Sequence, residues 1–228
     1  MNFLTILSFL LATNITVFQH LPVKYPAVTY RSVSLKRYGE NASCHFNGYE
    51  VLFRDEGENR GSIVVMSRNK RVQKFHELGF DLLDLPDSLL LADINGDGKN
   101  DLKIIMRFRG ASPLARCASR KIYLLSDRDK AFTKVSFFDC SSEPERDFNG
   151  DRKYEIISRE LQNYRGHSYW KYQVYTMLNG RLHNVSLKYH YPLLERFMLK
   201  PKRYSPILLN KYERNKLLSL LPPEYDQQ

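Results

Sequence analysis

Apolar and polar residues alternate in short runs along this chain, and turn-forming residues close each run. The pattern predicts strands through the middle of the sequence. Leu102 to Phe108, with Ile104, Ile105 and Met106 inside it, reads as one strand. Lys121-Ile-Tyr-Leu-Leu-Ser126 and Val135-Ser-Phe-Phe138 read as a hairpin. Lys171-Tyr-Gln-Val-Tyr-Thr176 and Val185-Ser-Leu-Lys188 read as another, with Asn179-Gly180 as a strong turn signal. Ile63 to Ser67 and Val72 to Phe75 form a third. Tyr172 and Val174 alternate as strand packing residues, and Tyr164, Tyr169, Trp170 and Tyr175 surround them. Near the C-terminus, Ile207, Leu208, Tyr212, Leu217, Leu218 and Leu221 are spaced as an amphipathic helix over 206–221, stopped by Pro222-Pro223.

Between the first two hairpins the pattern changes. Asp93-Ile-Asn95-Gly-Asp97-Gly98-Lys99-Asn-Asp101 places oxygen-bearing side chains at positions 1, 3, 5 and 9 of a nine-residue loop. Calcium takes six to eight hard oxygen ligands at about 2.3–2.6 Å. Asp93, Asn95 and Asp97 can turn inward together, with the Lys99 carbonyl and Asp101 completing the set. Gly98 stands where the loop must turn sharply. A helix-loop-helix calcium site would need a glutamate at position 12, where Ile104 stands, so this loop opens a strand. The alternative is a plain turn without an ion.

The loop repeats. Asp147-Phe-Asn149-Gly-Asp151-Arg152-Lys153-Tyr-Glu155 lies 54 residues on and again runs into aliphatic residues, Ile156-Ile157. Its candidate ligands are Asp147, Asn149, Asp151, the Lys153 carbonyl and Glu155. Arg152 replaces the sixth-position glycine, so the carboxylates read either as ligands or as salt-bridging remnants of a repeat. The two later hairpins align at an offset of 50 residues without a gap. Repetition at this period in β-rich sequence predicts blades or an array. The expected fold is therefore all-β: a propeller-like array of about three hairpin or blade repeats over residues 60–190, with a C-terminal helix. Cys44 to Val51, containing Asn47-Gly48, offers a short, decayed match to a further loop.

The sequence Asp-x-Asn-Gly-Asp-Gly-x-x-Asp followed by an aliphatic strand resembles the calcium loop of FG-GAP/VCBS repeats, the blade type of integrin α propellers. In size, export signal, single well-formed loop and Tyr-rich hairpins, the chain resembles bacterial periplasmic propeller-like proteins. Some of these act as immunity proteins against secreted lysozyme-like toxins. The resemblance implies bound calcium, a protein partner and no enzyme activity.

Composition narrows the rest. The chain has 228 residues, 43% hydrophobic and 13% aromatic, enough for a β-rich core. Phe3 to Ala12 is nearly unbroken apolar and too short to span a bilayer. Residues 1–19 are read as an export signal and 20–228 as one calcium-binding domain, periplasmic or secreted. A buried N-terminal strand is the alternative. No other stretch is apolar enough to cross a membrane. Among the three cysteines, Cys117 and Cys140 flank the second hairpin. With its turn centred between Arg128 and Asp129, Leu125 faces Phe132 and Cys117 faces Cys140, within disulfide reach. Cys44 is then left unpaired.

The formal net charge is +10. A basic excess reads first as a plain solvated surface and otherwise suggests anionic partners, of which nucleic acid conflicts with export. Arg109, Arg116 and Arg120 lie on the segment between the first strand and the second hairpin, and they mark it as a surface for an acidic cleft such as a glycosidase-type toxin presents. Adhesion to anionic glycan or lipid is the other reading. There is no His-Glu-x-x-His, Gly-x-Ser-x-Gly, Walker loop or Cys-x-x-Cys to carry catalysis.

Overall fold

A computed structural model describes residues 25–107, 119–127, 131–178, 180–197, 207 and 209–228. The proposed export signal and the segment holding Arg109, Arg116 and Cys117 lie outside the described residues.

The chain enters as β1 (Arg31–Ser34), then builds a five-stranded meander of β2 (Lys36–Tyr38), β3 (Asn41–Phe46), β4 (Tyr49–Gly57), β5 (Arg60–Ser67) and β6 (Lys70–Leu78). Three of its turns have two residues, both at positive φ: Asn47-Gly48, Glu58-Asn59 and Arg68-Asn69. This backbone twist matches that of the paired strands, which is why such tight turns are favoured in hairpins. Cys44 to Val51 is therefore an ordinary hairpin, and not a degenerate ion loop.

β7 (Ser88–Ala92), β8 (Asp101–Arg107), β9 (Ser119–Ser126) and β10 (Phe132–Asp139) follow. With β1 on one side and the short β15 (Asp226–Gln227) on the other, they form a six-stranded antiparallel sheet in the order β1-β7-β8-β9-β10-β15. The last sheet pairs β11 (Ile156–Tyr164) with β12 (His167–Leu178). β13 (Arg181–Asn184) and β14 (Leu193–Arg196) share the other edge of β12.

The middle sheet is buried on both faces. Leu102, Ile104, Ile122 and Leu124 pack against Val51, Phe53, Ile63 and Val65 of the first sheet. Tyr123, Leu125, Val135 and Phe137 point the other way, onto Ile156, Tyr175, Met177 and Leu182 of the third. Period-2 alternation thus supplies two cores from one sheet. The all-β expectation holds, and the three sheets stack in chain order. No closure into a propeller ring is formed among the described residues.

Three expectations need correction. The strand that returns along Lys171–Thr176 is Arg181–Asn184, and Val185–Lys188, expected as that strand, instead enters a 3-10 turn over Ser186–Tyr189. The second hairpin pairs Ser126 with Phe132 and Leu125 with Thr133. This pairing is one residue from the expected register, and a one-residue slip exchanges the faces of every side chain. The ladder ends with Ser119 opposite Asp139, so Cys117 and Cys140 are not directly opposed by it. The C-terminal helix is also shorter than its apolar spacing implies: α1 spans Lys211–Leu217 and buries none of its residues. It starts at a capping box in which Asn210 and Glu213 satisfy each other's backbone N–H. It stops because Ser219 is drawn into hydrogen bonds with Gln173 and Asn184 of the third sheet.

Buried charges join the layers. Glu77 of β6 takes Arg120 of β9 on one oxygen at 2.7 Å and Lys134 of β10 on the other at 2.8 Å. Glu145, on the connection into the third sheet, accepts from Lys103 and Tyr123 at 2.6 Å each, and from Tyr30. Burial alone would raise its carboxyl, but the Lys103 and Lys121 ammonium groups hold it at about 2. Replacing Glu77 by alanine leaves two buried cations without their shared partner. Glu77→Ala should cost about 3–5 kcal/mol, read as a lowered urea midpoint at unchanged slope. A loss below about 1 kcal/mol, the value of an exposed pair, would show that this junction does not hold the sheets together.

Candidate metal centre

The first loop is the turn between β7 and β8, with Ala92 facing Asp101 across the ladder. Asp93 caps it from inside: its Oδ1 accepts from the N–H groups of Gly96 and Asp97, and its Oδ2 from Gly98. Asn95 Oδ1 accepts from Asp97 N, and Asp97 Oδ1 from Lys99 N. Asp101 closes the loop by accepting from Ile94, Asn95 and Ser126 N–H groups. Ser126 Oγ donates to Asp97 Oδ2 at 2.6 Å, tying the loop to β9.

The second loop, ahead of β11, repeats several of these bonds at the matching positions. Asp147 accepts from Gly150 and Arg152, Asn149 from Asp151 N, and Asp151 from Lys153 N. Glu155 reaches back to Phe148 N as Asp101 does to Ile94 N. Gly98 sits at φ +84° and Arg152, its counterpart, at φ +65°. The arginine adopts the glycine's left-handed conformation at a cost of about 1–2 kcal/mol. The loss of glycine therefore strains the second loop without changing its path.

The electrostatics of the two loops differ from the rest of the interior. Asp101 is 0% exposed, Glu155 2% and Asp147 7%. Elsewhere, Glu77, Asp139 and Glu145 are equally buried, and each holds a lysine or arginine at 2.5–2.8 Å. Among the described residues no ion pair reaches Asp101, Asp147 or Glu155; Lys188 lies within electrostatic range of Glu155 without pairing. Burial pushes Asp101 up to about 7 against three backbone N–H bonds that pull it down. Burial also raises Glu155, and its neighbours Asp151 and Asp147 add to the effect.

The donor set consists of carboxylate, amide and carbonyl oxygens, and carboxylate oxygens keep lone pairs beyond the N–H bonds they accept. Such a set suits a hard cation such as calcium. Asp93, Asn95, Asp97, the Lys99 carbonyl and Asp101 would hold it in the first loop. Asp147, Asn149, Asp151, the Lys153 carbonyl and Glu155 would do so in the second. Among the described residues no three His, Cys, Asp or Glu side chains converge by themselves, so amide and main-chain oxygens are integral to any ion site here. A cleft of about 490 Å³ opens beside both loops, lined by Asn95, Asp97, Ser126, Lys153, Met177 and Gly180.

Arg120, expected at a partner surface, is instead buried. It donates to Glu77, Ser136 Oγ and the Glu224 carbonyl, and therefore serves the interior. The sequence gives no sign of this, because an arginine in a strand reads as a solvated residue. Cys44 on β3 is a buried free thiol, and Cys140 is disulfide-bonded.

No protein-family model, curated protein or solved structure matches the chain.

A bridge between Cys117 and Cys140 should appear as linked peptides in a non-reducing digest of protein made in an oxidising compartment. Recovery of Cys44 in the linked pair would overturn that pairing.

Proposed function

We propose that this chain is an exported, calcium-stabilised binding protein without enzyme activity. The observation that supports the calcium reading is the set of buried loop carboxylates. The interior balances its other buried acids with lysine or arginine, and among the described residues Asp101, Asp147 and Glu155 have no such partners. An uncompensated buried charge costs several kcal/mol. A divalent cation held by the loop oxygens supplies the missing charge.

The proposed partner is a protein, with a secreted glycosidase-type toxin as the sharpest form of the reading. The chain would act as its immunity or inhibitor protein in the periplasm. The surface assigned to the partner is the connection 108–118, which carries Arg109 and Arg116. Its two ends are held side by side, since Arg107 pairs with Ser119 across β8 and β9. Anchored ends reduce the entropy lost on binding. The first loop stands at the opposite end of β8, about 20 Å away for a seven-residue strand. Calcium therefore acts on this surface through the strand and not as a direct contact.

Melting temperature should rise with millimolar calcium and fall with a chelator, and Asp97→Ala should remove most of the difference. A hundredfold excess of ligand over Kd contributes about 2.7 kcal/mol. Replacing residues 109–116 by a Gly/Ser linker should keep the calcium effect and abolish recovery of a specific partner from envelope extract. Wild-type melting indifferent to calcium would end the ion reading. Partner capture that survives the linker would move recognition elsewhere.

A further inference from the structure

The two loops are not merely alike; they touch. The main chain of Tyr154, eighth in the second loop, donates to the carbonyl of Ile94, second in the first loop, at 3.0 Å. Gly96, fourth in the first loop, lies directly on the second: a Cβ there would stand 2.9 Å from Lys153 Cγ and 3.1 Å from the Arg152 carbonyl oxygen. The lysine stem can swing aside. The carbonyl cannot move without moving the backbone whose next carbonyl, that of Lys153, is an expected ligand.

From this contact we infer that the two loops form one coupled two-ion centre, in which filling the first loop orders the second and raises its affinity for calcium. The inference rests on the calcium reading of each loop, and adds that the two sites share one mechanical unit. Ion–ion repulsion opposes such coupling, but each nine-residue loop carries three carboxylates in its sequence, more negative charge than one divalent ion brings. They are Asp93, Asp97 and Asp101 in the first loop, and Asp147, Asp151 and Glu155 in the second. A filled first loop therefore does not present a net positive charge from its ion and ligands to its neighbour. The strained Arg152 turn gives the second loop more to gain from a preordered neighbour, because ordering already done by one ligand need not be repeated by the next.

A pair of glycines separates coupling from simple damage. Gly96 and Gly98 both hold positive φ, at +73° and +84°, so alanine strains the first loop at either position. Only Gly96 meets the second loop; a Cβ at Gly98 has nothing within 4 Å. Calcium binding is measured on the full chain by calorimetry. Tyrosine-sensitised terbium emission is read in wild type and in Asp151→Ala, and the part lost in the variant is assigned to the second loop, where Tyr189 Oη lies 3.4 Å from Glu155 Oε1. Gly96→Ala and Gly98→Ala should both weaken the first site. Gly96→Ala alone should weaken the second, by about fivefold or more, the lower range of measured couplings. Asp97→Ala, which empties the first loop without touching the contact, should weaken the second site by a similar factor and guards against a Gly96→Ala chain that does not fold. Equal second-site affinity in wild type, Gly96→Ala and Asp97→Ala would overturn the coupling while leaving two independent sites. Absence of any calcium heat in the wild type would overturn the ion reading and the coupled centre with it.

Discussion

A sheet buried on both faces leaves no place for an unpaired charge, and the middle sheet carries four cations inside it. Lys103, Arg120, Lys121 and Lys134 are each at most 3% exposed. A buried ammonium or guanidinium is tolerated only with a partner and further hydrogen bonds. Each partner comes from a defined place: Glu77 from the first sheet, Asp139 from β10 itself, Glu145 from the connection to the third sheet, and Asp226 from the C-terminus. The need to satisfy these charges therefore fixes how the outer layers sit on the middle one. Apolar contact alone would allow sliding, since hydrophobic attraction has no direction.

The C-terminal residues complete this arrangement. Ser219 bonds to Gln173, Glu160, Lys171 and Asn184 of the third sheet. Pro223 accepts from Phe138 on β10, and β15 then pairs with the same strand. Gln228 places its side-chain amide across the backbone of His76, accepting at 2.9 Å and donating at 2.8 Å. Gln73 does the same to Phe132 from the other direction. These two side chains imitate ladder rungs where β6 approaches β10 and β15 edge to edge. Exposed edges invite pairing with other chains, and here primary amides cover part of one.

What could be read from sequence follows from the range of the forces involved. The two loops were legible because their chemistry is local: oxygens at alternate positions and a glycine turn are set within nine residues, and Asp93 and Asp147 organise their own neighbours. The strands β8, β9, β10 and β12 were legible from apolar runs. The Arg68-Asn69 turn was legible only from the apolar runs on either side of it, and Glu58-Asn59 was not, because both turns reach positive φ without glycine. The second hairpin slipped by one residue because Leu124, Leu125, Val135 and Phe137 are apolar on both faces, so alternation could not fix the pairing. The C-terminal spacing resembled a helix because Ile207 is apolar for a different reason: it bridges Leu194 in extended form, and Leu209 beyond it packs with Leu194 and Tyr169. The buried lysines were invisible, since a lone lysine in a strand nearly always faces water.

The same reasoning that explains the middle sheet isolates the paired loops. In the layers the chain supplies its own counter-charges, and they are permanent, because both partners are covalently part of the fold. In the loops it supplies only the negative half. Hydrogen bonds from backbone N–H groups shape the carboxylates but neutralise none of them, and three are withdrawn from water. A fold that pairs Glu77, Asp139 and Glu145 so closely does not lack the means to place a lysine beside Asp101. Lys99 is two residues away and exposed, Lys153 lies against Gly96, and Lys188 stands near Glu155. Among the described residues none of these cations forms an ion pair with Asp101, Asp147 or Glu155. Among the described residues the loop carboxylates therefore have no built-in counter-charge, whereas those between the sheets have theirs.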